Sequence, residues 1–201
     1  MLDTRIQAVL RPSFNAIAQG VVKLGFTANA VSVLGFAIGM AAAFAIGTQH
    51  YWWGATLIAL SRLCDGLDGA IARATQPTDF GGFLDISLDF LFYAAIPLAF
   101  AYANPDANAL SAATLLLAFM GTGSSFLAFA VIAEKHKMHS AAYPDKSFYF
   151  LGGLTEATET ITLFIVMCMW PNYFSWLAYG FAVLCGITIV LRIYWAYQSF
   201  R

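Results

Sequence analysis

Charged side chains are scarce in this chain of 201 residues. Only 10% of the residues are Asp, Glu, Lys or Arg, whereas 60% are hydrophobic. A soluble globular protein typically carries about 25% charged residues. The composition therefore excludes an ordinary soluble domain and indicates an integral membrane protein. The net charge of −1 identifies no class of partner, and we expect no nucleic-acid partner.

Cysteine is also rare, and its spacing excludes the common cysteine-based sites. Cys64, Cys168 and Cys185 are scattered, with no CxxC pair and no metal-finger spacing. Their apolar surroundings favour a role in helix packing. The first 25 residues have no short apolar core followed by a small-residue cleavage site, so we expect no cleavable signal.

Long uncharged runs predict the membrane topology. No Asp, Glu, Lys or Arg occurs between Leu24 and Ser61, a run long enough for nearly two spans of roughly 20 residues each. Similar runs, separated by turn signals, predict six transmembrane helices at about 27–47, 51–73, 82–103, 109–134, 149–169 and 174–195. We therefore predict an all-α integral membrane protein with one domain over residues 1–201.

The segment 1–25 has an apolar helical stripe and is predicted to lie on the membrane interface, with its continuous helix starting at Pro12.

The distribution of Lys and Arg predicts the orientation. The turns at 47–52, 103–108 and 170–173 contain neither residue, and nearly all of the basic side chains fall toward the opposite side. By the positive-inside rule, both termini are predicted to be cytoplasmic.

Four aspartates interrupt the second and third predicted spans. Asp65 and Asp68 are three residues apart, and Asp85 and Asp89 are four apart, so each pair shares one helix face. Each ionised group costs on the order of 2.5–3.5 kcal/mol in a bilayer core even on insertion scales. Antiparallel packing of the two spans would bring all four acids to one layer near the cytoplasmic face. Oxygen ligands alone select Mg²⁺, Mn²⁺ or Ca²⁺, and four carboxylates suit two ions. Ion pairing within the helices is the alternative, disfavoured because few cations are nearby.

Small and basic residues beside these acids predict a substrate site. Gly66 and Gly69 leave backbone open, which would allow a bulky substrate to approach closely. Arg73 lies one turn beyond Asp68 and Gly69, where its guanidinium could bind a phosphate bidentately. The alternative for Arg73 is an anchor at the membrane edge.

These residues form a pattern with fixed spacing. It reads Asp65-Gly66-Leu67-Asp68-Gly69-Ala70-Ile71-Ala72-Arg73, followed by Gly81, Asp85 and Asp89. The pattern resembles the signature of the CDP-alcohol phosphotransferase family. The segment Thr27-Ala28-Asn29-Ala30-Val31-Ser32 also resembles a family element, with Ala28 where a proline is usual. The resemblance implies transfer of a phosphoalcohol group, commonly phosphatidyl, from a CDP-linked lipid such as CDP-diacylglycerol to an acceptor hydroxyl. CMP is released, and the reaction belongs to phospholipid synthesis.

The resemblance also implies roles for individual residues. Asp65, Asp68 and Asp85 would be metal ligands, and Asp89 both a ligand and the general base. Asp65, Gly69 and Arg73 would contact the CDP portion of the donor. Asn29 would line the nucleotide pocket or, alternatively, cap the first span. The family likeness further implies two Mg²⁺ or Mn²⁺ ions per site, a homodimer, and an active site on the cytoplasmic side of a bacterial or archaeal inner membrane.

Polar residues in the last third of the chain are candidates for binding the acceptor. Glu156 and Glu159 precede an uncharged stretch too short to cross a bilayer, so the fifth span is predicted to include them. Interhelical hydrogen bonding, or pairing with Arg62 or Arg192, is the alternative for both. Lys146 and Arg192 are the basic candidates, and they would suit a phosphorylated acceptor. The balance of these residues favours a non-phosphorylated or amine-bearing alcohol.

Two other functions are compatible with intramembrane acids. A divalent-cation transporter would place its carboxylates near the bilayer centre, with broken helices and access from both sides. A catalytically inactive structural subunit would not need to retain all four aspartates.

Overall fold

The computed structural model describes residues 2–136 and 155–200, and these residues are helical with no β-strand. The helices are α1 Leu2–Lys23, α2 Ala28–Gly47, α3 Tyr51–Ala74, α4 Asp79–Ala103, α5 Pro105–Lys135, α6 Ala157–Met169 and α7 Phe174–Ser199. A short 3₁₀ turn, Pro171–Tyr173, precedes α7. Helices α2 to α5 and α7 agree with the predicted bounds to within four residues.

Two predicted helix starts are wrong. The helix predicted at 149–169 begins at Ala157 in the described part of the chain. Glu156 and Glu159 form a capping box there, which marks the N-terminus of the helix. Residues 149–154 of that prediction lie outside the described residues. At the other end of the chain, α1 starts at Leu2 and continues through Pro12. Proline inside a helix removes one backbone hydrogen bond, but α1 continues past this residue.

In the described part of the chain, four helices are long and apolar enough to cross a membrane: α2, α4, α5 and the segment Pro171–Ser199. Together with the composition, they identify an integral membrane protein. The 24 residues of α3 are sufficient in number, but its second half carries the charged motif. The 13 residues of α6 span about 20 Å, which is less than the ~30 Å of a bilayer core. Six spans, the interfacial placement of α1 and the cytoplasmic orientation therefore remain predictions.

Aromatic side chains dominate the core between the helices. Phe92, Phe100, Phe164 and Phe174 are fully buried. The rings of Phe100 in α4 and Phe174 in α7 stack with centroids 4.5 Å apart. This stacked pair joins α4 to α7 at the end of the bundle where the predicted outer turns lie. The aspartates lie toward the opposite end of α3 and α4.

Helix α2 is the main packing partner of both helices that carry the aspartates. Glycines allow this close approach. A Cβ atom on Gly35 would lie 2.9 Å from Cβ of Cys64 in α3, and one on Gly39 would lie 2.6 Å from Cδ2 of Phe92 in α4. Both distances are shorter than a normal carbon contact. The absence of side chains at these positions therefore sets the spacing of α3 and α4 around α2.

Helix α1 covers the other side of α3. Ala18 of α1 is buried with Ala70 and Ile71 of α3. The ring of Phe14 approaches Gly66 so closely that a Cβ atom there would lie 2.8 Å from its Cε2. The prediction that Gly66 is open to substrate is therefore wrong, because α1 occupies that surface.

We expect Gly39→Ala to lower the stability of the protein by about 1–3 kcal/mol, because the added methyl group would clash with the buried Phe92 ring. Gly180→Ala in α7 is the matched control, since a Cβ atom there meets nothing within 4 Å. Thermal unfolding of both variants in detergent would measure the difference. Equal melting temperatures for the two variants would contradict the packing described here.

Candidate metal centre

The motif acids lie on two helices that run in opposite directions. The connection from the end of α3 at Ala74 to the start of α4 at Asp79 contains only four residues. The side chain of Thr78 caps α4 by accepting a hydrogen bond from the N–H of Gly81 at 3.0 Å. Asp85 and Asp89 consequently fall within about the first three turns of α4. Asp65 and Asp68 lie at a similar height in α3.

A narrow cleft lies between these two helices. Helix α2 forms the floor of the cleft, and α3 and α4 form its walls, since α3 and α4 both pack mainly on α2. The lining residues are Ser32, Gly35, Phe36, Ser61, Arg62, Asp65, Asp68, Asp85, Leu88 and Asp89. The structure thus brings all four motif aspartates to one cleft.

Three of the four carboxylates form a compact group. One oxygen from each of Asp65, Asp68 and Asp85 lies within 4.8 Å of the other two. Asp68 is buried, Asp65 is partly buried and Asp85 is exposed, so the group opens to one side. Such hard, anionic oxygen donors fit Mg²⁺ or Mn²⁺, whereas soft metals prefer sulfur ligands.

Asp89 has a different partner. Its Oδ1 accepts a hydrogen bond from Nη1 of Arg62 at 2.6 Å. The same Nη1 lies 3.4 Å from Oδ1 of Asp65. The sequence suggests Arg62 only as a possible partner of the glutamates, whereas the structure pairs it with two of the motif acids. The available signal was the position of Arg62, one helical turn before Asp65 within an apolar segment.

The residues expected to contact the donor lie at the open end of the motif. Arg73 is exposed in the last turn of α3, and its guanidinium folds back over Gly69. A Cβ atom on Gly69 would lie 3.3 Å from Nη1 of Arg73 and would meet no other neighbour. The backbone of Gly69 is therefore open apart from this guanidinium, as expected.

Asn29 lies between the starts of α2 and α4. Its Oδ1 would be 3.1 Å from a Cβ atom on Gly81. The alternative that Asn29 caps the first span is wrong, because the N-cap is Thr27, whose Oγ1 accepts from the N–H of Ala30 at 3.2 Å. Asn29 is not among the residues that line the aspartate cleft.

The acceptor candidates occupy a separate polar region. Glu156 is buried at the N-cap of α6, and Oε2 of Glu159 accepts a hydrogen bond from its N–H at 3.2 Å. Arg192 is buried in α7 and donates from Nη1 to the carbonyl of Thr122 at 2.6 Å. None of these three side chains lines the aspartate cleft. Lys146 lies outside the described residues.

Comparison with known proteins identifies the family. The family described as CDP-alcohol phosphatidyltransferase matches residues 26–192. The chain belongs to this family. It is therefore a transferase of membrane phospholipid biosynthesis, and the alternative of a cation transporter is not supported.

Relatives match over different lengths. The chain is 47% identical to the inner membrane protein YnjF of Escherichia coli, over all 201 residues and 98% of that protein. It is 33% identical over 94 residues to the archaetidylinositol phosphate synthase of Pyrococcus horikoshii, which is 46% of this chain and 50% of that one.

A solved structure shares the fold. The phosphatidylinositol phosphate synthase of Mycobacterium tuberculosis, crystallised with CDP-DAG bound, superposes with a TM-score of 0.74 at 22% identity. The match covers 92% of this chain and 93% of that one. The same synthase in complex with manganese and citrate gives a TM-score of 0.71 at 23% identity, over 92% and 88% of the two chains.

We expect Asp68→Asn to weaken Mn²⁺ binding by about tenfold or more, because a neutral amide replaces the most buried carboxylate of the group. Asp79→Asn is the matched control, since Asp79 lies on α4 outside the cleft. Mn²⁺ titration of the purified variants, followed by electron paramagnetic resonance, would measure both affinities. Equal affinities in the two variants would show that the acidic group does not bind the ion.

Proposed function

We propose that this transferase moves a phosphatidyl group from a CDP-linked lipid, of the CDP-diacylglycerol type, to the hydroxyl of a small alcohol. CMP is the second product. The observation that carries the proposal is the convergence of Asp65, Asp68 and Asp85 beside Asp89 in one cleft between α3 and α4. The presence of CDP-DAG in a structural neighbour that matches 92% of this chain supports the choice of donor.

The compact acidic group is the proposed metal site. Asp65, Asp68 and Asp85 would hold Mg²⁺ or Mn²⁺, and the manganese complex of the structural neighbour supports this assignment. When bound, the ion supplies positive charge to the phosphate oxygens on which negative charge accumulates in the transition state. The protein contributes by holding three ligands on two helices that are braced by α2.

Asp89 is the proposed general base. The acceptor oxygen forms a bond to the phosphorus of the phosphatidyl group, and the bond from that phosphorus to the bridging oxygen of CMP breaks. The hydroxyl proton passes to the Asp89 carboxylate, and CMP leaves with the electron pair of the broken bond. A positioned carboxylate contributes roughly 10²–10⁴-fold to such a step. Arg62 orients this carboxylate by binding Oδ1, and Oδ2 has no hydrogen-bond partner among the described residues.

Arg73 and Gly69 are the proposed contacts of the donor diphosphate. The guanidinium of Arg73 lies over open backbone at the exposed end of the motif, where a planar fork of donors can bind phosphate. Asp65 and Asn29 would complete the nucleotide side of this site. A donor bound here would keep its nucleotide in water and its acyl chains in lipid.

The site is proposed to open to the cytoplasm, with both termini on the same side. The opposite end of the bundle carries exposed aromatic residues typical of a membrane interface, namely Trp52, Trp53, Trp170, Tyr173 and Trp176. The basic residues Lys23, Arg73 and Lys135 lie at the helix ends nearer the aspartates. We also expect a homodimer, as the family likeness implies.

We propose a non-phosphorylated or amine-bearing alcohol as the acceptor. Nη1 of Arg192 already donates to the carbonyl of Thr122. A phosphate group would have to compete with this carbonyl for the guanidinium. A buried carboxylate such as Glu156 instead suits a hydroxyl or an ammonium group.

We expect Asp89→Asn to reduce CMP formation from CDP-diacylglycerol and an alcohol panel by about 10²–10⁴-fold, because the amide cannot take the proton. Asp106→Asn, at the start of α5 and at the opposite end of the bundle, is the matched control and should keep normal turnover. Size-exclusion profiles and melting temperatures would establish that both variants fold. Undiminished turnover in folded Asp89→Asn would remove Asp89 from the mechanism.

Glu156→Gln should lower kcat/KM for the preferred acceptor by about tenfold or more, since hydrogen bonds to charged groups contribute about 1.5–3 kcal/mol. The KM for the CDP-lipid should stay unchanged. Glu134→Gln, on the exposed end of α5, is the control for loss of one acidic charge. If acceptor selectivity is the same in both variants, Glu156 serves only to cap α6.

A further inference from the structure

A second buried charged region lies outside the aspartate cleft, where the start of α6 meets α7. Glu156 is the N-cap of α6 and is buried. Thr155, the residue before it, donates from Oγ1 to Oγ1 of Thr188 in α7 at 3.1 Å. Arg192 lies one turn further along α7 and is also buried. These contacts bring an acid and a cation into one polar region of the core.

The guanidinium of Arg192 has an unused donor. Its Nη1 donates to the carbonyl of Thr122 in α5 at 2.6 Å, and its Cζ lies 5.6 Å from the centroid of the Phe126 ring. Its Nε is buried and has no hydrogen-bond partner in the described part of the chain. Only 8% of the residue is exposed. Because a buried charged donor without a partner is costly, the free Nε–H indicates a place where a bound molecule completes the hydrogen bonds.

This guanidinium lies at the height of the proposed base. Its partner Thr122 is followed in α5 by Gly123, and the ring of Phe90 packs directly against Gly123. Phe90 is the neighbour of Asp89 in α4. The contact from α7 to α5 and the contact from α5 to α4 therefore place Arg192 and Asp89 in the same layer of the bundle.

Helix α6 places Glu156 in this layer as well. Sγ of Cys168, at the end of α6, would lie 3.6 Å from a Cβ atom on Gly54, at the start of α3. Since α3 and α6 pack against each other, they run in opposite directions. Glu156 precedes Cys168 by twelve residues, which corresponds to about 18 Å along a helix. It therefore lies near the height of Asp65 and Asp68.

A small molecule bound in this region would meet charges of both signs. The carboxylate of Glu156 suits an ammonium group, and the Nε edge of Arg192 suits a planar carboxylate. Because these two protein charges cancel, a zwitterion keeps the region neutral, whereas a phosphorylated alcohol would add negative charge beside a buried glutamate. Glu159 is only half-buried, and its Oε2 already accepts from the N–H of Glu156.

We propose that the acceptor is a small hydroxy amino acid of the serine type. Glu156 binds its ammonium group, and the Nε edge of Arg192 binds its carboxylate. The hydroxyl oxygen forms the bond to phosphorus, its proton passes to Asp89, and CMP leaves with the electron pair of the broken bond. This inference rests on the transferase function proposed above, and it narrows the acceptor to an alcohol that carries both charges.

The test is the acceptor specificity of the purified full chain with CDP-diacylglycerol and Mn²⁺. Four acceptors are compared by CMP release and by the mass of the lipid product: L-serine, ethanolamine, 3-hydroxypropionate and glycerol 3-phosphate. Ethanolamine lacks the carboxylate of serine, and 3-hydroxypropionate lacks its amine. The kcat/KM for serine should exceed that for each of the other three by about tenfold or more, because each of them leaves a buried charged group without its partner.

Arg192→Met should lower kcat/KM for serine by about tenfold or more and abolish the preference for serine over ethanolamine, because the carboxylate loses its partner. Lys135→Met is the matched control, since it removes an exposed cation at the end of α5. This variant should keep the preference for serine. Size-exclusion profiles and melting temperatures would establish that both variants fold.

Equal use of serine and ethanolamine by the wild-type protein, or a preference for any of the other three acceptors, would overturn the inference and leave the proposed transferase intact. This comparison needs no variant, so it decides the matter even if Arg192→Met fails to fold. A folded Arg192→Met that still prefers serine would also overturn it. If none of the four acceptors gives a lipid product, the inference is rejected. Product formation from glycerol or inositol would then retain the transferase, and its absence with these alcohols too would reject both.

Discussion

Carboxylates in a low-dielectric layer need compensating positive charge, and the architecture of this protein follows from that requirement. Asp65, Asp68 and Asp85 converge closely enough to repel one another strongly unless a cation is present. Asp89 obtains its compensation within the chain, from Arg62. The negative charge in this cleft is therefore compensated in two ways: one acidic group is suited to a divalent ion, and one carboxylate forms an ion pair within the chain.

The fold supports this arrangement through α2. Because Gly35 and Gly39 lack side chains, α2 approaches both aspartate helices closely and fixes their separation. The resulting gap between α3 and α4 is the cleft itself. The Phe92 ring connects the packing to the electrostatics, since it fills the space beside Gly39 and also supports the guanidinium of Arg62. A change in core packing at this point would thus also displace a charged group of the site.

The sequence predicted the parts of the structure that depend on local spacing. The helical period placed each aspartate pair on one face, and uncharged runs predicted five helices with nearly correct bounds. It failed where a distant segment decides the outcome. Nothing near Gly66 indicates that Phe14 of α1 covers it, and nothing near Arg62 indicates that Asp89, 27 residues away, is its partner. The predicted start of α6 is wrong because Glu156 and Glu159 cap this helix, a role that their three-residue spacing also fits.

The most direct test of the account is a crystal structure of the purified protein with Mn²⁺, with data collected at a wavelength where manganese scatters anomalously. The account predicts an anomalous peak coordinated by oxygens of Asp65, Asp68 and Asp85 in the cleft between α3 and α4. A structure in which these oxygens are dispersed, or in which manganese binds elsewhere and leaves them without an ion, would contradict it.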